Sequence, residues 1–130
     1  MQEGPQAAPI VLVADDETGI LGIIKDALEM SGFATILATD GSQAVEVLET
    51  KAHEIRAVVT DIKMGPGPDG WVVARVARRL NPGMGVVYIS GDSAMNWSTE
   101  AVPNSVMTPK PFSLSQIINE VTKLINVRQA

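Results

Sequence analysis

Apolar residues along this chain follow two alternating rhythms. Ile10-Val11-Leu12-Val13-Ala14 is an unbroken apolar run, the pattern of a strand covered on both faces. Ile20, Leu21, Ile23, Ile24, Ala27 and Leu28 then recur at helical spacing over residues 18–31, and Gly32 supplies a stop. Residues 34–39 read as a second strand and residues 42–51 as a helix burying Ala44, Val45, Val47 and Leu48. Residues 57–60 form a third strand, and Val72, Val73, Val76, Ala77 and Leu80 share one helical face that ends before Pro82. A fourth strand spans residues 85–89. Residues 93–100 allow a helix of about two turns, marginal alone, before Pro103 and a short strand at residues 105–108. Leu114, Ile117, Ile118, Val121, Leu124 and Ile125 close the chain as a long amphipathic stripe behind the cap candidate Ser113. Five strand-helix pairs in alternation predict an α/β domain: a parallel sheet with right-handed crossovers and helices on both faces.

The polar residues that break this pattern stand mostly where strands finish. Asp15 and Asp16 follow the first strand, Asp61 the third, Ser90 the fourth and Lys110 the fifth. In a parallel sheet these ends share one edge, and a crevice opens there where the winding direction reverses. Residues far apart in sequence therefore converge. A single Asp after a strand is as readily a loop opener or helix cap as a functional group, so it is this convergence that singles out Asp61.

Composition narrows the classes. The 130 residues suit one domain, with residues 1–9, rich in Gly and Pro, expected as a disordered leader and residues 128–130 as a tail. A net charge of −5 argues against a general nucleic-acid or anionic-membrane binder. The absence of cysteine excludes disulfides and thiolate chemistry. The first residues lack the features of a signal peptide and no apolar run reaches membrane-spanning length, so a cytoplasmic protein is expected.

Three carboxylates in one crevice repel, by about 4 kcal/mol for a pair about 4 Å apart at an effective dielectric near 20. A hard divalent cation with oxygen ligands suits such a cluster, and Mg²⁺ is typically held by one or two carboxylates, water and a phosphate. Lys110 is a second candidate counter-charge, able to pair with a carboxylate or a phosphoryl oxygen. The set has the character of a phosphoryl-transfer site, in which an Asp nucleophile can carry an aspartyl-phosphate.

Asp15-Asp16, Asp61-Ile62-Lys63-Met64 with Asp69-Gly70, Ser90-Gly91 and Lys110-Pro111-Phe112 occur in the order and approximate spacing of the response-regulator receiver domain. The chain resembles that family over residues 10–127. The resemblance implies a flavodoxin-like (βα)5 three-layer sandwich with a five-stranded parallel sheet of order 2-1-3-4-5. It implies that Asp61 accepts a phosphoryl group from a sensor histidine kinase, a histidine phosphotransfer protein or a small phosphodonor. Asp16 and Asp61 would bind Mg²⁺ directly, with the Lys63 carbonyl as a further ligand and Asp15 acting through water. Ser90 would hydrogen-bond the phosphoryl group and Lys110 would pair with it, across a cis Lys110-Pro111 bond. The domain would be a switch, catalysing only its own phosphorylation and dephosphorylation. It would act on an unknown protein target as a monomer or phosphorylation-dependent dimer, alone or as part of a larger regulator or hybrid kinase. The alternative is a pseudo-receiver that signals without phosphorylation.

The sequence departs from the family pattern in three places. The stretch from Asp61 to Gly70 is one residue longer than usual, with Gly65 where the family commonly has proline and Pro66, Gly67 and Pro68 expected as a turn protruding beside the site. Met107 stands where a switching aromatic is common, with Tyr88 and Trp97 read as packing residues ahead of substitutes for it. Residues 92–103, with Asn96, Trp97, Ser98, Thr99 and Pro103, suggest a stunted or mobile fourth helix before modification. His53 reads as an exposed loop residue, and Arg75, Arg78 and Arg79 as a solvated face helped by the helix dipole.

Overall fold

The alternation predicted from the sequence is realised element by element in the computed structural model, which describes residues 7–91 and 97–129. The chain runs β1 (Ile10–Ala14), α1 (Thr18–Met30), β2 (Ala34–Ala38), α2 (Gly41–Lys51), β3 (Ile55–Asp61), α3 (Gly70–Leu80), β4 (Gly85–Ser90), α4 (Trp97–Glu100), β5 (Val106–Pro109) and α5 (Leu114–Gln129), with a short 3-10 turn at Ala52–Glu54. All the strand pairings are parallel and the order is β2-β1-β3-β4-β5. This is the expected flavodoxin-like topology, so the carboxyl ends of β1, β3, β4 and β5 lie side by side.

The sheet buries both faces. Leu12, Ala14, Val58, Val86 and Tyr88 pack with Leu48 of α2 and Val73, Ala74 and Ala77 of α3. Val11, Val13, Val59, Val87 and Ile89 pack with Leu21, Ile24 and Leu28 of α1 and Ile117, Val121 and Ile125 of α5. Successive strand residues point to opposite layers, which is why these strands read as continuous apolar runs and not as alternations.

Several boundaries differ from the sequence reading. β3 begins two residues early and includes Asp61, because Asp61 stays in register with Ile89 of β4; Arg56 breaks the apolar count and falls where the β1–β3 register shifts, between the pairs Ile10–Ile55 and Val11–Ala57. The carbonyl of Pro9 accepts a hydrogen bond from the Ala34 amide at 2.9 Å, so the pairing of β1 with β2 extends one residue into the expected leader. Proline lacks an N–H but keeps its acceptor. Residues 1–6 of that leader and residues 92–96 of the expected fourth helix lie outside the described residues; α4 is described over Trp97–Glu100. Ile23, counted in the apolar stripe of α1, is 53% exposed.

Two of the arginines of α3 are not simply solvated. Arg78 donates to the carbonyls of Met84, Pro103 and Asn104, and Arg75 reaches the carboxylate and carbonyl of Glu100. They tie α3 to the segment between α4 and β5. His53 is exposed, as expected.

Candidate functional site

Each polar residue predicted to converge is placed by a local reason. β1 ends at Ala14, and the Asp15 amide still bonds to the Ala38 carbonyl, which holds Asp15 at the sheet edge. Its side chain is buried, and Asp15 Oδ1 accepts the Glu17 amide at 2.8 Å in a tight Asx turn that leads into α1. Asp16 is exposed. Asp61 is buried at the end of β3, with Oδ1 fixed by the Ile62 amide at 2.7 Å.

The turn after β3 is built from two close approaches. Asp69 caps α3 by accepting the Val72 amide at 3.0 Å. The Gly70 amide bonds to the Ile62 carbonyl at 2.8 Å, and a Cβ on Gly70 would overlap the Asp61 carbonyl. Asp69-Gly70 is thus a cap and a contact point that position Asp61. The exposed Gly65 and Gly67 turn with φ of 81° and 95°. The loop does not simply protrude: Pro68 lies against Gly41 at the start of α2, where a Cβ would collide with the Pro68 carbonyl.

Lys110 completes the centre. Its amide bonds to the Ser90 carbonyl at 2.8 Å, and the Lys110-Pro111 peptide is cis, as expected. Lys110 Nζ lies 3.2 Å from Asp61 Oδ2, 3.7 Å from Asp15 Oδ2 and 3.1 Å from Glu17 Oε1. Ser90 is buried at the end of β4, and exposed Lys63 follows Asp61 by two residues. Glu17 is not among the residues predicted to converge, and its pairing with Lys110 was missed. The signal available was the third consecutive acid after the first strand.

Electrostatics show the strain of crowding. Burial pushes the Asp15 carboxyl from its ordinary 3.8 up to about 6; the Glu17 amide opposes the shift and the Asp61 charge adds to it. Burial also raises Asp61, against the pull of Lys110 and the Ile62 amide. For Lys110, burial works toward a lower value, but the Glu17 hydrogen bond and the charges of Asp61 and Asp15 outweigh it and hold the ammonium raised. One ammonium therefore does not neutralise the cluster.

A divalent ion fits what remains. Asp15, Asp16 and Asp61 each offer a carboxylate oxygen, all within 4.8 Å of one another. Asp15 Oδ2 is buried without a hydrogen bond, an acceptor facing the cluster with capacity to spare. Hard oxygen donors at this spacing are the chemistry of Mg²⁺.

The fold and this constellation define a receiver domain. The family model of the response regulator receiver domain matches residues 11–122, and the chain belongs to that family of two-component systems. A response regulator receiver protein from Sinorhizobium medicae has a crystal structure similar to this one at a TM-score of 0.90 and 43% identity, over 93% of this chain and 97% of that one. The response regulator receiver protein CpdR of Brucella abortus is 29% identical over 88% of this chain and 95% of its own length. Sensor kinase CckA of the same organism is 30% identical over 92% of this chain, which spans only 13% of that kinase. Among the described residues no helix is long and apolar enough to cross a membrane.

Proposed function

We propose that the chain is a phosphorylation-activated switch in which Asp61 takes a phosphoryl group from a histidine kinase or histidine phosphotransfer protein in the cytoplasm. The observation that carries this reading is the meeting of Asp61 with Lys110 at 3.2 Å inside a cluster of oxygen donors from Asp15 and Asp16. In the transfer, an Asp61 carboxylate oxygen bonds to phosphorus as the donor's P–N or P–O bond breaks, and the electron pair stays on the departing nitrogen or oxygen. The Ile62 amide on Oδ1 keeps the carboxylate plane fixed during attack. Asp15, Asp16, Asp61 and the Lys63 carbonyl would hold Mg²⁺. When bound, that ion supplies charge that offsets the carboxylates and the incoming phosphoryl oxygens. Asp15 keeps an acceptor turned to the cluster, and Asp16 offers its carboxylate from the solvent side.

Once formed, the phosphoryl group adds charge and three strong acceptors. Ser90, buried at the end of β4, is the hydroxyl donor for one oxygen, and Lys110 the ammonium donor for another. Drawing both inward shifts an existing equilibrium on the face formed by β4, α4, β5 and α5.

Incubation with Mg²⁺ and acetyl phosphate, or with a phosphorylated kinase, followed by intact-mass measurement tests the reading. A phosphoryl adduct on the native chain that is lost in Asp61→Ala is expected. No adduct from any donor, together with no Mg²⁺ binding, would instead identify a pseudo-receiver.

A further inference from the structure

Ser90 closes β4 and Lys110 follows β5, so residues 91–109 run out from the site and back between the two groups assigned to the phosphoryl oxygens. The return of that stretch is gripped at the opposite end of the sheet by Arg78, from the last turn of α3. Its Nε donates to the Met84 carbonyl at 2.7 Å, just before β4, and its terminal nitrogens donate to the carbonyls of Pro103 and Asn104, shortly before β5. One side chain thus ties the entries of two neighbouring strands to α3. A planar guanidinium fork spans several fixed acceptors in a way that a single ammonium does not. Asn104 turns with φ of 59°, in the left-handed region, and its carbonyl accepts from Arg78 at 3.1 Å, so the bond also steadies a turn that side chains rarely adopt. The Tyr88 hydroxyl, accepting the Val102 amide, adds a tie from β4. Arg75 adds an exposed pair with Glu100 at 3.4 Å.

We propose, resting on the phosphoacceptor reading of the site, that Arg78 is a latch on the unmodified arrangement: it holds the entry of β5 against α3 and the start of β4, and the phosphorylated arrangement must loosen it. Drawing Ser90 and Lys110 toward a phosphoryl group displaces both ends of residues 91–109. β5 has only four residues, in an extended strand that carries a shift along its length, so a displacement at Lys110 reaches Ser105 and Asn104. Charge-assisted hydrogen bonds from Arg78 resist it there. A restraint made in one of two arrangements lowers the affinity for whatever favours the other, by the factor that it contributes to their balance. Arg78 thereby makes the chain harder to switch, acting from the opposite end of β4.

The test is a titration with beryllofluoride, a stable stand-in for the phosphoryl group, in excess Mg²⁺, followed by NMR for the native chain, Arg78→Gln, Arg78→Lys and Arg79→Gln. Arg78→Gln is expected to bind about fivefold more tightly, the lower end of coupling between distant sites, and to exchange the amides of residues 102–105 faster before any ligand is added. Removing a positive charge would by itself weaken uptake of an anion, so tightening has the sign of a released latch. Arg79→Gln, which removes a neighbouring exposed charge, should leave the affinity unchanged. Arg78→Lys keeps the charge but reaches fewer of the carbonyls; it should tighten binding less, and it carries the test if Arg78→Gln does not fold. Unchanged or weaker binding in a folded Arg78→Gln chain overturns the inference, whatever stability is lost, and marks a purely structural tie. Equal tightening in Arg79→Gln overturns it as well. If the native chain binds no beryllofluoride, the reading of the site falls and this inference with it. Native binding that is lost in Asp61→Ala but unaltered in the Arg78 variants defeats the inference alone.

Discussion

The Tyr88 hydroxyl accepts a hydrogen bond from the Val102 amide at 3.1 Å, joining the middle of β4 to the segment that enters β5. Tyr88 is fully buried, its ring lies 4.8 Å from that of Trp71, and it stands in register with Met107 of β5. It is therefore a packed core residue whose hydroxyl is tethered to that segment. Tyr88→Phe keeps the ring and strands a buried amide, and should destabilise the chain by about 1–3 kcal/mol. Urea unfolding measures the loss. Amide exchange should accelerate at Val102 and its neighbours, while unaltered protection there would show that the tether carries little.

Asp15 gives the chain a specific dependence on pH. Its folded value of about 6 lies above its ordinary 3.8, so between these values the folded chain holds protons that the unfolded chain has lost. Stability from this group is consequently present at low pH and is lost as pH rises through about 6. In chelator, Asp15→Asn should stabilise the chain at pH 7 by about 1–3 kcal/mol and flatten the slope of stability between pH 4 and 6. Thermal unfolding across that range would contradict the assignment if the mutant and native slopes were equal.

The same crowding predicts how a divalent ion acts. Mg²⁺ should raise the melting temperature at neutral pH, by about 2.7 kcal/mol of stability at a hundredfold excess over its dissociation constant. The gain should shrink as pH falls and the carboxyls take up protons. Asp16→Asn, which removes the exposed oxygen donor, should weaken it. A melting temperature indifferent to Mg²⁺ would count against ion binding by the cluster.

Gly70 tests the backbone that aims Asp61. A methyl group there falls on the Asp61 carbonyl and within 2.8 Å of Ile62 Cα. Gly70→Ala should cost about 1–3 kcal/mol through overpacking, and should slow phosphoryl uptake beyond what its stability loss explains. Native uptake in a folded Gly70→Ala chain would show that the turn does not set the geometry of Asp61.

Most of the fold was legible because burial on two sides leaves an unmistakable apolar record, as in Val11 to Ala14 and in the stripe of α5. The convergence of Asp15, Asp61, Ser90 and Lys110 followed from parallel topology alone. What sequence could not show were contacts between residues with no pattern to report them. Arg75 and Arg78 face away from the apolar stripe of α3, so periodicity made them solvated, whereas their long side chains reach carbonyls of a neighbouring loop. Glu17 was visible as a charge, but its partner is 93 positions away. Gly41, just outside the helix predicted over residues 42–51, proves to be where Pro68 rests.

That resting place joins the loop beyond Asp61 to a helix which otherwise takes no part in the site. A change in the length or shape of residues 65–68 must be matched at position 41, since any side chain there would lift the loop. The two stretches can therefore drift only as a pair, and the surface they form offers a partner one joint shape with no independent halves.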